Sequence, residues 1–508
     1  MDANATATAL SAVAAIDLFR RGELSPVTLV ETSIERIERL NPKINAITAT
    51  CFERAREEAR ASEARYRTGQ PMGPLDGLTL GVKDLQPTAQ LLTTWGAPQF
   101  RSHVPEVDAP LVADLRRAGA IVVGKTNVPE HGAGGNSRNP VWGATGNPFN
   151  ANLTAGGSSG GSAAALAADL VSLCTGSDTG GSLRLPAGLC GVVGFRPSPG
   201  LVPHPTRPLG WSSISVLGPM ARNMADLSLM LRSCMGTHAD DPLNRGVSKR
   251  AFDAAQPVQL ASLRIGFSED FGGCPVAPEI RATFRDRIAR LAPHVALCEP
   301  VDMRLGEQDR CFDVLRAESF MAGFQDTFER HPEQLSEDVR TNVALGQGMT
   351  LRDRAWAHLE QTRMLRAYRA KVAALDVVLV PVAPVSPFAW VEGFPAAIDG
   401  VTMDIYYRWL ALTYRPSLLG SPVVTLPCGL DPRQMPFSLQ ALGQPNGDAA
   451  LLRAGQALEH FFELHEATRR PRPDLESLAA SDVSLQAFVS HPAQPGATSG
   501  SGAAATVV

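Results

Sequence analysis

Short β-branched runs alternate with longer helical stretches along most of this chain, and that alternation limits the fold more than any other feature. Runs at 78–83, 119–124, 168–175, 191–195, 263–267, 376–381, 422–427 and 436–442 read as strands. Stretches at 8–20, 26–40, 51–67, 108–118, 161–169, 224–236, 277–291, 352–374 and 448–467 read as helices. The second of these begins at Ser25-Pro26, a capping hydroxyl followed by proline in the first turn, and sets Leu29, Ile34, Ile37 and Leu40 on one face. Such an order predicts an α/β fold with a mostly parallel or mixed sheet between helical layers. No linker and no internal repeat divides it, so one domain over 1–484 is expected. Residues 300–370, more helical and more charged than their surroundings, read as a cap or insertion. The Pro/Gly/Ser/Ala-rich stretch 485–508 reads as a disordered tail.

Composition narrows the function classes. A hydrophobic content of 44% supports a large core, and a net charge of −4 offers no general attraction to nucleic acid, so no nucleic-acid partner is expected. The eight cysteines stand singly, without a Cys-x-x-Cys pair, so neither a metal nor a redox motif is signalled. No Lys or Arg precedes Arg20, and no apolar run approaches a membrane span. The expectation is a soluble cytoplasmic protein, without a membrane partner.

Chemistry concentrates in two glycine loops and one lysine. The first loop reads Gly156-Gly157-Ser158-Ser159-Gly160-Gly161-Ser162, and the second Gly176-Ser177-Asp178-Thr179-Gly180-Gly181-Ser182. By itself a Gly-Gly-Ser sequence is an ordinary turn. Following a strand, however, it can leave the backbone N–H groups of Thr179, Gly180, Gly181 and Ser182 free to hold an oxyanion beside a serine nucleophile. Lys83 ends the apolar strand Leu80-Gly81-Val82-Lys83. A lysine buried there has a depressed pKa and can act as a neutral base, whereas most lysines are solvated surface charges. Asp84 falls on the opposite sheet face. Neither cofactor motif is complete: the first loop lacks the lysine of a P-loop, and Gly132–Ser137 lacks the last glycine of a dinucleotide fingerprint. No cofactor is expected.

Taken in order, these segments resemble the amidase signature family. The matching stretches are Pro74–Gly77 with Gly81–Asp84, Gly124–Glu130, both serine loops through Arg184, and Cys190–Gly194. Their spacing also agrees, with 75 residues from Lys83 to Ser158 and 24 from Ser158 to Ser182. The strong match spans 70–235. The resemblance implies a large twisted mixed sheet covered by helices on both sides, and a Ser-cisSer-Lys triad. In it Ser182 is the nucleophile, Ser158 (after a cis Gly157–Ser158 bond) the proton relay, and Lys83 the base. Asp178 and Arg184 would support the second loop through a charge-assisted bond, and glycine at 157 relieves crowding at the cis bond. A homodimer is a further expectation of the resemblance.

The expected reaction is hydrolysis of a small-molecule amide to acid and amine through a seryl acyl-enzyme. An aryl or small aliphatic amide is the preferred substrate, and carbamates and ureido compounds share the electrophilic carbonyl. Gly134, Gly135, Trp95 and Tyr406 are the candidate substrate contacts; Phe320, Trp390, Tyr407 and Trp409 are further aromatic candidates that also suit a core. Two alternatives stay open. One is the glutaminase (A) subunit of a tRNA-dependent amidotransferase, a family member that works with partner chains. The other is an α/β-hydrolase esterase using Gly156-Gly157-Ser158-Ser159-Gly160 as its nucleophile elbow, with Asp376 and His460. That elbow needs a buried strand immediately before it, where 147–153 reads as loop.

Overall fold

The structure, a computed structural model, describes residues 7–252 and 258–494. Its centre is an eleven-stranded sheet. In chain order the strands are β1 (Ile47–Thr50), β2 (Thr79–Lys83), β3 (Ile121–Thr126), β4 (Leu173–Asp178), β5 (Val193–Arg196) and β6 (Val216–Ala221). They continue with β7 (Arg264–Phe267), β8 (Leu297–Pro300), β9 (Val377–Pro381), β10 (Val423–Leu430) and β11 (Pro436–Leu442). Across the sheet the order is β1-β3-β2-β4-β6-β5-β10-β11-β9-β7-β8. Two parallel blocks, β3-β2-β4 and β9-β7-β8, are joined through antiparallel pairs. The sheet is therefore mixed and twisted, with helices on both faces.

Alternation along the strands builds two cores. Ile121 and Val123 of β3 enter one apolar layer, with Val30, Ile34 and Ile37 of the helix Pro26–Ile44, while Val122 enters the other. Covered on both sides, β2 and β3 are buried at every position. The helix Pro26–Ile44 starts where Ser25 Oγ accepts from Val27 N, with proline in the first turn, and stops at Asn45 in the left-handed region.

Every residue of the helix Gly160–Ala167 is buried against the sheet. Its small side chains permit the close approach: a Cβ at Gly161 would lie 2.2 Å from Asn127 N. This packing fixes the first serine loop at the carboxyl ends of the parallel strands β2 and β4, where ligands of α/β sheets gather.

Differences from the sequence expectation have physical causes. The strand expected over 168–175 starts at Leu173, because Ala168 closes the preceding helix and Asp169 adopts φ +54°. Strand β6 escaped notice because Gly218-Pro219 reads as a break, and β8 because it is a half-exposed edge strand ending in proline. Residues 308–371 form three helices, Gln308–Arg330, Glu337–Gln347 and Leu351–Lys371, packed on one another beside the second serine loop. The tail expected from 485 is packed as far as 494. Leu485 is buried and its carbonyl accepts from Ala144 N, and Phe488 lies edge-on to Trp390. Residues 495–508 lie outside the described residues.

Candidate active site

Lys83 occupies the last position of β2. Val82 points into one core, so Lys83 points to the other face, toward the buried Gly160–Ala167 helix. There its Nζ meets three hydroxyls: Ser158 Oγ at 2.8 Å, Ser159 Oγ at 2.7 Å and Ser177 Oγ at 2.9 Å. Its own N–H donates to Thr175 Oγ1 of β4 at 2.9 Å, which locks the two parallel strands at this level. Burial pushes the Lys83 amine down to about 7, with the Asp178 carboxylate pulling the other way. No carboxylate forms an ion pair with it among the described residues.

The Gly157–Ser158 peptide bond is cis. A Cβ on residue 157 would come within 2.8 Å of Asn136 N and 2.9 Å of Gly134 O, so only glycine fits. The two serine loops touch directly, as Ser159 N donates to Ser182 O at 3.2 Å.

Asp178 organises the second loop. Its buried carboxylate accepts from Gly181 N at 2.9 Å and Leu183 N at 3.1 Å, and from Arg184 Nε and Nη2 at 3.0 Å each. Arg196 Nη1 donates to it at 2.9 Å. Burial alone would raise this carboxyl, but Arg184 and Arg196 outweigh it and hold it well below the usual range. Arg184 is anchored in turn by Thr413 O, Gln440 Oε1 and Ser417 Oγ. Gly181 takes φ +127°, and a Cβ there would sit 2.1 Å from Thr413 Oγ1. Because its N–H is bonded to Asp178, Gly181 is not a free donor, in contrast to the sequence expectation. Among the described residues the N–H groups of Thr179, Gly180 and Ser182 donate to nothing.

Ser182 lines a small void with Gly132, Gly134, Gly180, Phe312, Arg316, Tyr406, Tyr407, Leu410 and Tyr414. Through Gly134 and Tyr406 this void adjoins a cleft of about 600 Å³ that Gly135, Glu130, Arg138, Asp338 and Phe488 also line. Burial raises the Glu130 carboxyl to about 7 and the Asp338 carboxyl to about 6. Gly134, Gly135 and Tyr406 thus stand where the sequence suggested. Trp95 does not: it lines neither cavity, and packs instead against Phe100 and His103 while its carbonyl holds His131 N.

Sequence reasoning missed Ser159 and Ser177, although both lie inside the quoted loops. It also missed Arg196, Phe312 and Arg316. Arg196 follows the second loop by one short strand, but Arg316 comes from the divergent helical region and carries no local signal. As expected from strand parity, Asp84 turns away from Lys83, accepting from Thr94 N and Oγ1.

The esterase alternative fails on position. Residues Asn150–Thr154 before the first loop form a small ribbon outside the main sheet, and Asp376 and His460 are exposed elsewhere.

Fold and site together define an α/β hydrolase built around a buried serine–lysine cluster. The sequence profile of the family described as Amidase matches residues 28–452. The A subunit of the glutamyl-tRNA(Gln) amidotransferase of Roseiflexus castenholzii is 30% identical over 91% of this chain and 97% of its own length. Its counterpart in Anaeromyxobacter dehalogenans is 33% identical over 89% and 95%. A bacterial aryl acylamidase of the amidase signature family superposes with a TM-score of 0.84 at 26% identity, covering 93% of this chain and 99% of that one. The chain belongs to the amidase signature family, and it is a hydrolase of the Ser-cisSer-Lys type.

One expectation needs correcting. Net charge suggested that no nucleic-acid partner exists, yet relatives that align along almost the whole chain are subunits of an enzyme named for a tRNA. The charge of one chain does not report on a nucleic acid engaged through an assembly. Among the described residues no helix is long and apolar enough to cross a membrane.

Proposed function

We propose that this chain is the glutamine-hydrolysing subunit of an amidotransferase assembly acting on a glutamyl-tRNA, as its relatives' names describe for them. The observation that carries this reading is the end-to-end match to those subunits, 91% of this chain against 97% of the relative. In this reading, neutral Lys83 takes a proton from Ser158, and Ser158 takes the proton of Ser182. The Ser182 oxygen attacks the side-chain amide carbon of glutamine. The unbonded N–H groups of Thr179, Gly180 and Ser182 receive the oxyanion. Ser158 returns a proton to the departing nitrogen, ammonia leaves, and water releases glutamate by the reverse relay. Ser159 and Ser177 orient the lysine, and the Asp178–Arg184–Arg196 cluster keeps the loop from collapsing.

Ammonia release from glutamine by the purified chain, alone and with candidate partner subunits, tests the proposal, with Ser182→Ala and Lys83→Ala as inactive controls. Absence of glutamine hydrolysis in both settings would reject it.

A second reading has its own support. The overlap with an aryl acylamidase at TM-score 0.84, and the rings of Phe312 and Tyr414 stacked at 4.3 Å beside Ser182, favour an independent amidase for aryl or small aliphatic amides. Turnover of anilides by the isolated chain, without ammonia from glutamine, would select this reading.

A further inference from the structure

Arg316, on the helix Gln308–Arg330, lines the void that holds Ser182. It is buried, only 7% exposed, yet it forms no ion pair among the described residues. Of its five N–H donors, the bond to the Tyr406 hydroxyl is the only one formed there, and Nε is shut off from solvent with no partner. The Asp338 carboxyl feels its charge across the adjoining cleft but makes no bond to it, and burial raises that carboxyl toward its neutral form. Buried arginines elsewhere in this chain have bonded carboxylates: Arg184 and Arg196 share Asp178, and Arg207 has Asp241. Around Arg316 there are instead aromatic faces, Phe320 at 4.7 Å and Tyr407 at 5.0 Å from the guanidinium carbon. These soften the cost of burial without neutralising the charge. The Tyr406 hydroxyl accepts from both Arg316 and Asn342, which leaves its own proton available to donate. A buried cation with spare donors, a hydroxyl proton beside it, and a nucleophile lining the same void make an incomplete site. An anion completes it.

We infer that Arg316 anchors an anionic group on the acyl side of the substrate, so that the preferred substrates are amides whose acyl chain ends in a carboxylate. The side follows from the relay. Ser158 must return its proton to the leaving nitrogen, and the Ser158 hydroxyl would lie 3.5 Å from a Cβ on Gly132, on the wall that continues into the large cleft through Gly134 and Gly135. The acyl group is left facing Gly180, Phe312 and Arg316. This rests on the proposed serine–lysine roles and deepens the glutamine reading, since the glutamine acyl chain carries a carboxylate.

The test compares glutaramate (glutamine without its amino group) with valeramide, its uncharged counterpart. Binding is read by calorimetry in the Ser182→Ala protein, so no turnover is required. Glutaramate is expected to bind about 10- to 100-fold tighter than valeramide, the range of a charge-assisted bond. Adding Arg316→Met should erase that preference while leaving valeramide binding within about threefold, and Arg316→Lys should keep part of it. Equal binding of the two amides, or a preference that survives Arg316→Met, would overturn the assignment. If Arg316→Met does not fold, the Arg316→Lys protein decides: an undiminished preference there overturns the fork-like contact proposed. A glutaramate preference without glutamine hydrolysis would uphold the anchor and reject the glutaminase reading. Glutamine hydrolysis unaffected by Arg316→Met would do the reverse.

Discussion

The buried amine of Lys83 fixes how activity must depend on pH. Burial holds it at about 7 rather than 10.5. At pH 7 about half of the lysines are therefore neutral, against about three in ten thousand for an unperturbed side chain. That gain of roughly 10³ in available base corresponds to about 5 kcal/mol withheld from the ammonium form. The base must be unprotonated to act, so kcat/KM should be full above the pKa and lost as pH falls through it. An ascending limb centred near 7 is expected, with about a tenfold loss per pH unit below 6. Two variants separate this from other causes. Lys83→Arg keeps a positive charge but cannot deprotonate, so it should be as inactive as Lys83→Ala, at least about 10³-fold down. Glu130, raised to about 7 in the neighbouring cleft, titrates in the same range, so Glu130→Gln should retain the limb. Steady-state amide hydrolysis between pH 5 and 9 measures all three. A rate that stays level down to pH 5, a limb abolished by Glu130→Gln, or an active Lys83→Arg would each refute the assignment of the base.

Further consequences follow from the same geometry. Asp178→Asn would leave two buried guanidiniums sharing no anion and should cost about 3–5 kcal/mol, read as a large loss of thermal stability along with activity. Gly181→Ala places a Cβ 2.1 Å from Thr413 Oγ1 at φ +127°, so kcat should fall by at least about 10²-fold as the oxyanion donors move, with retained helical circular dichroism. Ser177→Ala removes one of three hydroxyls around Lys83; loss of an acceptor for the ammonium should shift the ascending limb to lower pH and reduce kcat about tenfold.

Much of the fold was legible because its signals are local. Cap residues, β-branched runs and helical periodicity act over a few positions, and they placed eight of the strands close to where they stand in the eleven-stranded sheet. Strands β6 and β8 were illegible for the opposite reason: their pairing, not their composition, makes them strands. The 485–494 segment reads as disordered by composition, yet it is held by single contacts, Leu485 against the 143–144 turn and Phe488 against Trp390 and Arg138.

The sequence by itself determined the α/β architecture, the two serine loops and the lysine on the strand before them, because glycine spacing and strand parity constrain backbone shape directly. Only the tertiary structure decided the surroundings of those groups. It closed three hydroxyls on Lys83, took the Gly181 N–H for Asp178, moved Trp95 out of the pocket and brought Arg316 into it from more than 130 residues beyond Ser182. Burial, pKa and charge pairing are sums over neighbours distant in sequence, and no local pattern encodes them.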